Sequence, residues 1–152
     1  MKKSNPKRLG ALPKRYKFIL NPYVDLRLST CPKCERLTYP RKCPLFIHVG
    51  GTAPDYFTAI LGKTCKYCPK CEIIMAHKDE LDPLIEEQRV RVAPALANHE
   101  YFVMGTVELK FWKKSLIEPQ GSAEVLKHTA EFKDHLTLNY RPAGWYRADD
   151  PF

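Results

Sequence analysis

Two five-residue segments of this chain are identical: Cys31-Pro32-Lys33-Cys34-Glu35 and Cys68-Pro69-Lys70-Cys71-Glu72. No other feature constrains the fold as tightly. A Cys-x-x-Cys turn aims two sulfurs at one centre while backbone N–H groups donate to them. Two such turns supply four soft ligands, the tetrahedral set of a closed structural zinc site; four thiolates also suit iron. The chain must therefore bring its two knuckles together, and the 33 residues between Cys34 and Cys68 leave room for a hairpin linking them. Cys65-Lys66-Tyr67-Cys68 is itself a Cys-x-x-Cys, so Cys65 competes with Cys71 for Cys68. The residue-for-residue repeat of the first knuckle favours Cys71. Cys43 and Cys65 then read as ordinary buried thiols. A thioredoxin-type redox pair needs a βαβ context that neither knuckle has.

These knuckles resemble those of the zinc-ribbon class over about residues 29–77, a third of the chain. The resemblance implies zinc held by Cys31, Cys34, Cys68 and Cys71 and a small antiparallel sheet. It also implies a partner, since many ribbons of this kind bind nucleic acid or ribosomal and transcription machinery, while others hold proteins together. The residue after each second cysteine is commonly glycine in that class; here it is Glu35 or Glu72. If the position needs φ > 0, a non-glycine there is strained.

Charge is distributed unevenly. Residues 1–42 carry 12 Lys/Arg against Asp25 and Glu35, a net +10; residues 43–152 carry 13 basic against 15 acidic side chains, a net −2. Lys2, Lys3, Lys7, Arg8, Lys14, Arg15 and Lys17 fall in the first 17 residues, with no acid among them. Such an arm seeks polyanions, with a phosphate backbone the usual one. It lacks the apolar face that would favour an anionic membrane. No apolar run approaches a membrane span, and prolines and cations interrupt any export-signal core. A cytoplasmic setting with reduced thiols is expected, which again points the cysteines to metal.

Prolines at 6, 13, 22, 32, 40, 44, 54 and 69 exclude a long helix from the first half. The expected fold class is α+β: a ribbon-like antiparallel sheet, about two helices, additional strands and an extended basic arm. Residues 1–28 read as the arm and 29–152 as one domain, with the ribbon over 29–77 and a helix/strand body over 78–152. Leu45–Val49, stopped by Gly50-Gly51, and Ile73–Met75 read as strands; Tyr56–Leu61 is a strand or one helical turn. A helix starts near Asp79 or Asp82, with Leu81, Leu84 and Ile85 on its apolar face, and fades near Val92. Thr106–Trp112 alternates like a strand. Ser122 caps a helix to about His135, with Val125, Thr129, Phe132 and Leu136 as its core stripe. Leu136–Tyr140 closes the fold as a strand.

On that second helix Glu124, His128, Glu131 and His135 line one face at one-turn spacing, a set able to hold a catalytic metal but more simply a solvated face. Tyr16, Phe18 and Tyr23 interleave with Lys14, Arg15, Lys17 and Arg27, which suits base stacking or packing of the arm onto the body. Trp145-Tyr146-Arg147 reads as a docking tail. The sequence thus favours a structural-zinc protein that binds nucleic acid, RNA or ribonucleoprotein ahead of a specific DNA sequence. The rivals are a protein-interaction module and a metal-dependent hydrolase or nuclease built on the Glu/His face.

Overall fold

The computed structural model describes residues 15–96 and 100–138. Seven strands and three helices follow in the order β1 (Lys17–Asn21), β2 (Tyr39–Gly50), β3 (Tyr56–Cys68), β4 (Ile73–His77), α1 (Lys78–Val92), β5 (Tyr101–Val107), α2 (Leu109–Ile117), α3 (Ser122–Lys127), β6 (Thr129–Glu131) and β7 (Asp134–Leu136). The strands make one mixed, curled sheet, half of a barrel, in the order β6-β5-β2-β3-β4-β1-β7. Its spine is the long β2–β3 hairpin, in register from Tyr39↔Tyr67 to Gly50↔Tyr56. β1 runs parallel to both its neighbours, β4 and β7.

Period-2 alternation sorts the side chains. Phe18, Leu45, Ile47, Val49, Tyr67, Ile74 and Ala76 face one side, where Leu81 and Ile85 of α1 and Phe132 complete the main core. On the other side, Ile19, Ile73 and Met75 are covered by Leu28 and Leu138, and Phe46 and Val107 by Phe111 and Val125. Leu84, expected on the apolar face of α1, is exposed.

Four expectations change. Residues 17–21, assigned above to the arm, form an inner strand: Phe18 and Ile19 are buried on opposite faces, as a parallel strand flanked on both sides requires. The sheet has seven strands and mixed pairing, a larger structure than a small ribbon. The alternating stretch 106–112 straddles a boundary. β5 ends at Val107, and α2 begins at Leu109 with the Trp112 N–H bonded to Glu108 O at 2.9 Å. Val107 and Phe111 satisfy both a period of 2 and an i, i+4 spacing, and both are buried in the same cluster. The helix from Ser122 stops at Lys127. Thr129 Oγ1 donates to Val125 O at 2.7 Å, and Thr129–Glu131 then pairs with β5. Gly105 permits that pairing, because a Cβ there would collide with the Ala130 backbone.

Trp112 fixes α2 to the sheet by lying on Gly62, where a Cβ would overlap its indole ring. Gly62→Val is therefore expected to displace Trp112 and cost about 1–3 kcal/mol, the usual penalty of overpacking. Urea unfolding, together with a red shift of tryptophan emission in a Trp145→Phe background, checks this.

Candidate metal centre

Each knuckle sits where the chain must change direction. The segment between β1 and β2 leaves β1 and has to cross β4 and β3 to start β2, and Cys31 and Cys34 lie on this crossover. Cys68 ends β3, and Cys71 lies in the tight connection to β4. Pro32 and Pro69 preset φ for the first turn position. The two turns are alike: Glu35 N–H bonds to Cys31 O and Glu72 N–H to Cys68 O, both at 2.8 Å. Glu35 and Glu72 take φ of 66° and 59°, so the position does use the left-handed conformation that glycine fills more readily.

All four sulfurs lie within 4.8 Å of one another, with Cys34 and Cys68 at 3.6 Å. A tetrahedral zinc at a Zn–S distance of about 2.3 Å needs sulfur–sulfur edges of about 3.8 Å. The cage therefore has the size a four-thiolate site requires, and it is the one such group among the described residues. Backbone N–H groups already point at the sulfurs, Lys33 to Cys31 and Cys71 to Cys68, each at 3.4 Å. The thiols divide by environment. Burial pushes Cys31 up, and Cys71 is pushed up to about 12 by burial and then by its thiol neighbours. Cys34 is also opposed by burial, yet the Arg36 N–H and hydrogen bonds from Cys68, Cys71 and Cys31 bring it below the ordinary thiol value. Four neighbouring thiols can all ionise only around a cation, which is the chemistry a divalent metal supplies.

Cys43 and Cys65 do not join the cluster. Both are buried in the main core, on the opposite face from Cys68. Burial and a hydrogen bond with Cys65 raise Cys43 well above the ordinary thiol range, the Cys65 contribution being the larger. The competition between Cys65 and Cys71 is thereby decided for Cys71 by the alternation of β3.

The other candidate residues scatter. His128 Nδ1 donates to Glu108 at 2.9 Å, its Nε2 faces Glu124 at 3.5 Å, and its ring stacks on Phe111. His135 Nε2 donates to Val103 O at 2.8 Å from β7, and Glu131 is exposed on β6. With the helix ended at Lys127, the four share no helical face. Tyr16 and Phe18 are buried, so they pack rather than present rings to bases. Arg15 is an anchor, donating to Glu131 O and Phe132 O, and Lys17 is half-buried in β1. Lys2, Lys3, Lys7, Arg8 and Lys14, and the Trp145-Tyr146-Arg147 segment, lie outside the described residues. No helix among the described residues is long and apolar enough to cross a membrane.

Sequence reasoning overlooked one device near the centre. Asn21, fully buried at the end of β1, shares its Nδ2 donors among Leu26 O, Tyr23 O and His77 Nδ1, while its Oδ1 accepts the Tyr23 N–H. It thereby shapes the turn that starts the crossover. His77, at the start of α1, must be neutral at Nδ1 to accept, and burial and then the Arg27 charge hold it below the ordinary imidazole value, with Glu80 and Asp79 opposing less strongly. A lone His and a lone Asn carried no pattern by which the sequence pairs them.

No family model matches the chain, and no curated protein or solved structure matches it either.

Two outcomes are expected. Cys31→Ser, Cys34→Ser, Cys68→Ser and Cys71→Ser each lower bound metal and destabilise the fold, whereas Cys43→Ser and Cys65→Ser keep the metal; elemental analysis of purified protein reads this directly. For His77, the unfolded chain binds the extra proton between the folded and unfolded values. Its contribution to stability is then full above about pH 6.5 and falls as pH drops through the folded value. Urea unfolding from about pH 7.5 to 5 is expected to show this loss, and His77→Gln to flatten it. Superimposable profiles for the two proteins would remove His77 from the account.

Proposed function

We propose that this chain is a zinc-stabilised protein that binds nucleic acid, RNA or ribonucleoprotein in preference to a specific DNA sequence, through its basic N-terminal region. The charge distribution carries the reading: a net +10 over residues 1–42 against −2 over the rest. One contact adds to it. The Lys17 N–H bonds to Glu72 O at 3.0 Å, so the chain enters β1 beside the second knuckle. The zinc-ribbon resemblance of the knuckles points the same way. The metal, proposed to be zinc, would act structurally rather than catalytically, because four thiolates leave no open position for a water nucleophile.

A protein-docking reading draws on a different surface. Leu116 and Ile117 at the end of α2 are 68% and 87% exposed beside a cleft of about 270 Å³ that Phe46, Ile60 and Trp112 help to line. Such an interface would be insensitive to salt, so one titration separates the two.

For the full chain, about 4–6 phosphate contacts give a slope of log K against log salt of about −3 to −5. Replacing Lys2, Lys3, Lys7, Arg8 and Lys14 with Gln is expected to flatten the slope and remove most affinity. Arg15 stays, since its guanidinium anchors Glu131 O and Phe132 O, and Lys17 stays because it lies half-buried within β1. Metal content and unfolding midpoint should not move. Equal affinity and equal slope for the two proteins would sink the proposal.

A further inference from the structure

The outer face of the sheet carries a row of rings near the tip of the β2–β3 hairpin. Tyr56 and His48 stack with their centroids 4.7 Å apart. His48 is directly opposite Phe102 across β2–β5, and directly opposite residues share a face. Phe102 in turn lies 4.4 Å from the ring of His135 on β7. His48 Nε2 bonds to Gly51 O at 2.8 Å, which holds the imidazole between its neighbours. Four rings from four strands are thus continuous.

The row is open to solvent. Tyr56 is 40% exposed, Phe102 52%, and His135 is exposed as well. One face of Tyr56 is against His48, so its exposure falls on the other face and the edges. A single exposed ring is ordinary, whereas a contiguous row is the kind of patch that marks a binding surface.

Charge says what fits it. The chain carries a net +8, yet residues 43–62 and 92–109 contain no Lys or Arg, and their acids are Asp55, Glu100 and Glu108. Asp55 immediately precedes Tyr56 and is exposed. Glu100, also exposed, accepts the Gly50 N–H at 2.7 Å through its backbone carbonyl, and Gly50 is opposite Tyr56. Tyr101 packs on the main core, which leaves Glu100 and Phe102 on its two sides directed outward. Glu108 follows the other end of β5 and is bonded to His128. Leu96 comes close to Gly50, and Arg89, which donates to Leu96 O, is already forked by Glu86. Beyond His135 the balance differs. Glu131 and Asp134 are set there against Arg15, Lys17 and Lys133, with Lys17 opposite Asp134 across β1–β7. The carboxylate excess therefore sits at the Tyr56–Phe102 end.

We infer that the tip of the β2–β3 hairpin and the start of β5 form a docking site for an arginine-bearing segment of a partner protein, with Tyr56 and Phe102 as the stacking rings and Asp55 and Glu100 as the acceptors. It is a second surface, independent of the nucleic-acid reading above. A guanidinium is planar, so it lies flat on a ring while its N–H fork reaches a carboxylate beside it. An ammonium is a compact, strongly hydrated point charge and gains less from the rings. A phosphate backbone brings charge of the same sign as Asp55 and Glu100.

The test compares the parent, Phe102→Leu, an Asp55→Asn/Glu100→Gln double variant, and the chain with Lys2, Lys3, Lys7, Arg8 and Lys14 replaced by Gln. The probes are an alternating Arg/Gly peptide of about 8 residues, long enough at about 27 Å to cross the row, its Lys/Gly counterpart and an oligouridylate. The Arg/Gly peptide is expected to bind the parent about threefold or more tighter than the Lys/Gly peptide. Phe102→Leu and the double variant are each expected to weaken Arg/Gly binding about threefold or more. Oligouridylate should bind both variants no more weakly than the parent, and metal content and unfolding midpoint should not move. If the parent binds neither peptide at low salt, or binds both alike with no loss in either variant, the inference is overturned. If Phe102→Leu weakens oligouridylate instead, the rings stack bases and the arginine reading falls. If the Arg/Gly peptide binds only the chain with the neutralised arm, the protein's own arm is the occupant and the partner proposal falls.

Discussion

The four-thiol clip holds together two parts of the chain that the sheet alone leaves separate. Because β1 lies beyond β4, the connection to β2 must pass over two strands, and it does so across the face formed by Ile19, Ile73 and Met75. Among the described residues its regular backbone pairing is confined to the Thr30↔Leu37 bridge. Asn21 ties down its start, Leu28 buries against the strands beneath, and the sulfurs pin its middle to the β3–β4 turn. Three residues of this assembly, Leu28, Glu35 and Glu72, have φ between 54° and 66°. Each left-handed non-glycine costs about 1–2 kcal/mol. A structural zinc in small peptides contributes about 10–16 kcal/mol, which comfortably exceeds three such costs. Zinc bound there, as proposed, would offset the cost of glutamate where glycine fits more easily.

What could be read from the sequence divides along physical lines. The knuckles were legible because metal ligation is local in each half and the halves repeat, so Cys31, Cys34, Cys68 and Cys71 could be named before any fold was known. β2, β4 and α1 were legible because their apolar patterns have one period and clear breakers, Gly50 for β2 and the Asp-rich start for α1. β1 was not. Its apolar core of Phe18-Ile19-Leu20 is short and set among cations and prolines, and it becomes a strand only because β4 and β7 flank it.

The stretch from Thr106 to Leu136 misled for a different reason. Its local spacings fit a strand and then a long helix, and both patterns overlap the real boundaries. Tertiary pairing decided the outcome: the bare backbone at Gly105 accepts β6 alongside it, and the pairing of Thr129–Glu131 with β5 outweighs the propensity to continue α3. The expected Glu/His face dissolved with the helix that carried it. The position of Cys65 shows the reverse case, in which the simple period of β3 separates it from Cys68 once the strand is known to reach both.

A metal held by these four thiolates would have its ligands satisfied internally, so a role for the site would lie in the surfaces it positions. The clip forces the crossover against the hairpin and thereby collects cations from segments far apart in sequence: Arg36 from the crossover, Lys42 and Lys66 from the two strands, Lys70 from the turn. Glu35 and Glu72 sit in the knuckles, whereas Asp79, Glu80, Asp82 and Glu86 on α1 are paired to their own cations. The pairing of the α1 acids with their own cations leaves Arg36, Lys42, Lys66 and Lys70 without an ion pair among the described residues, at the cysteine-cluster end where the chain enters β1.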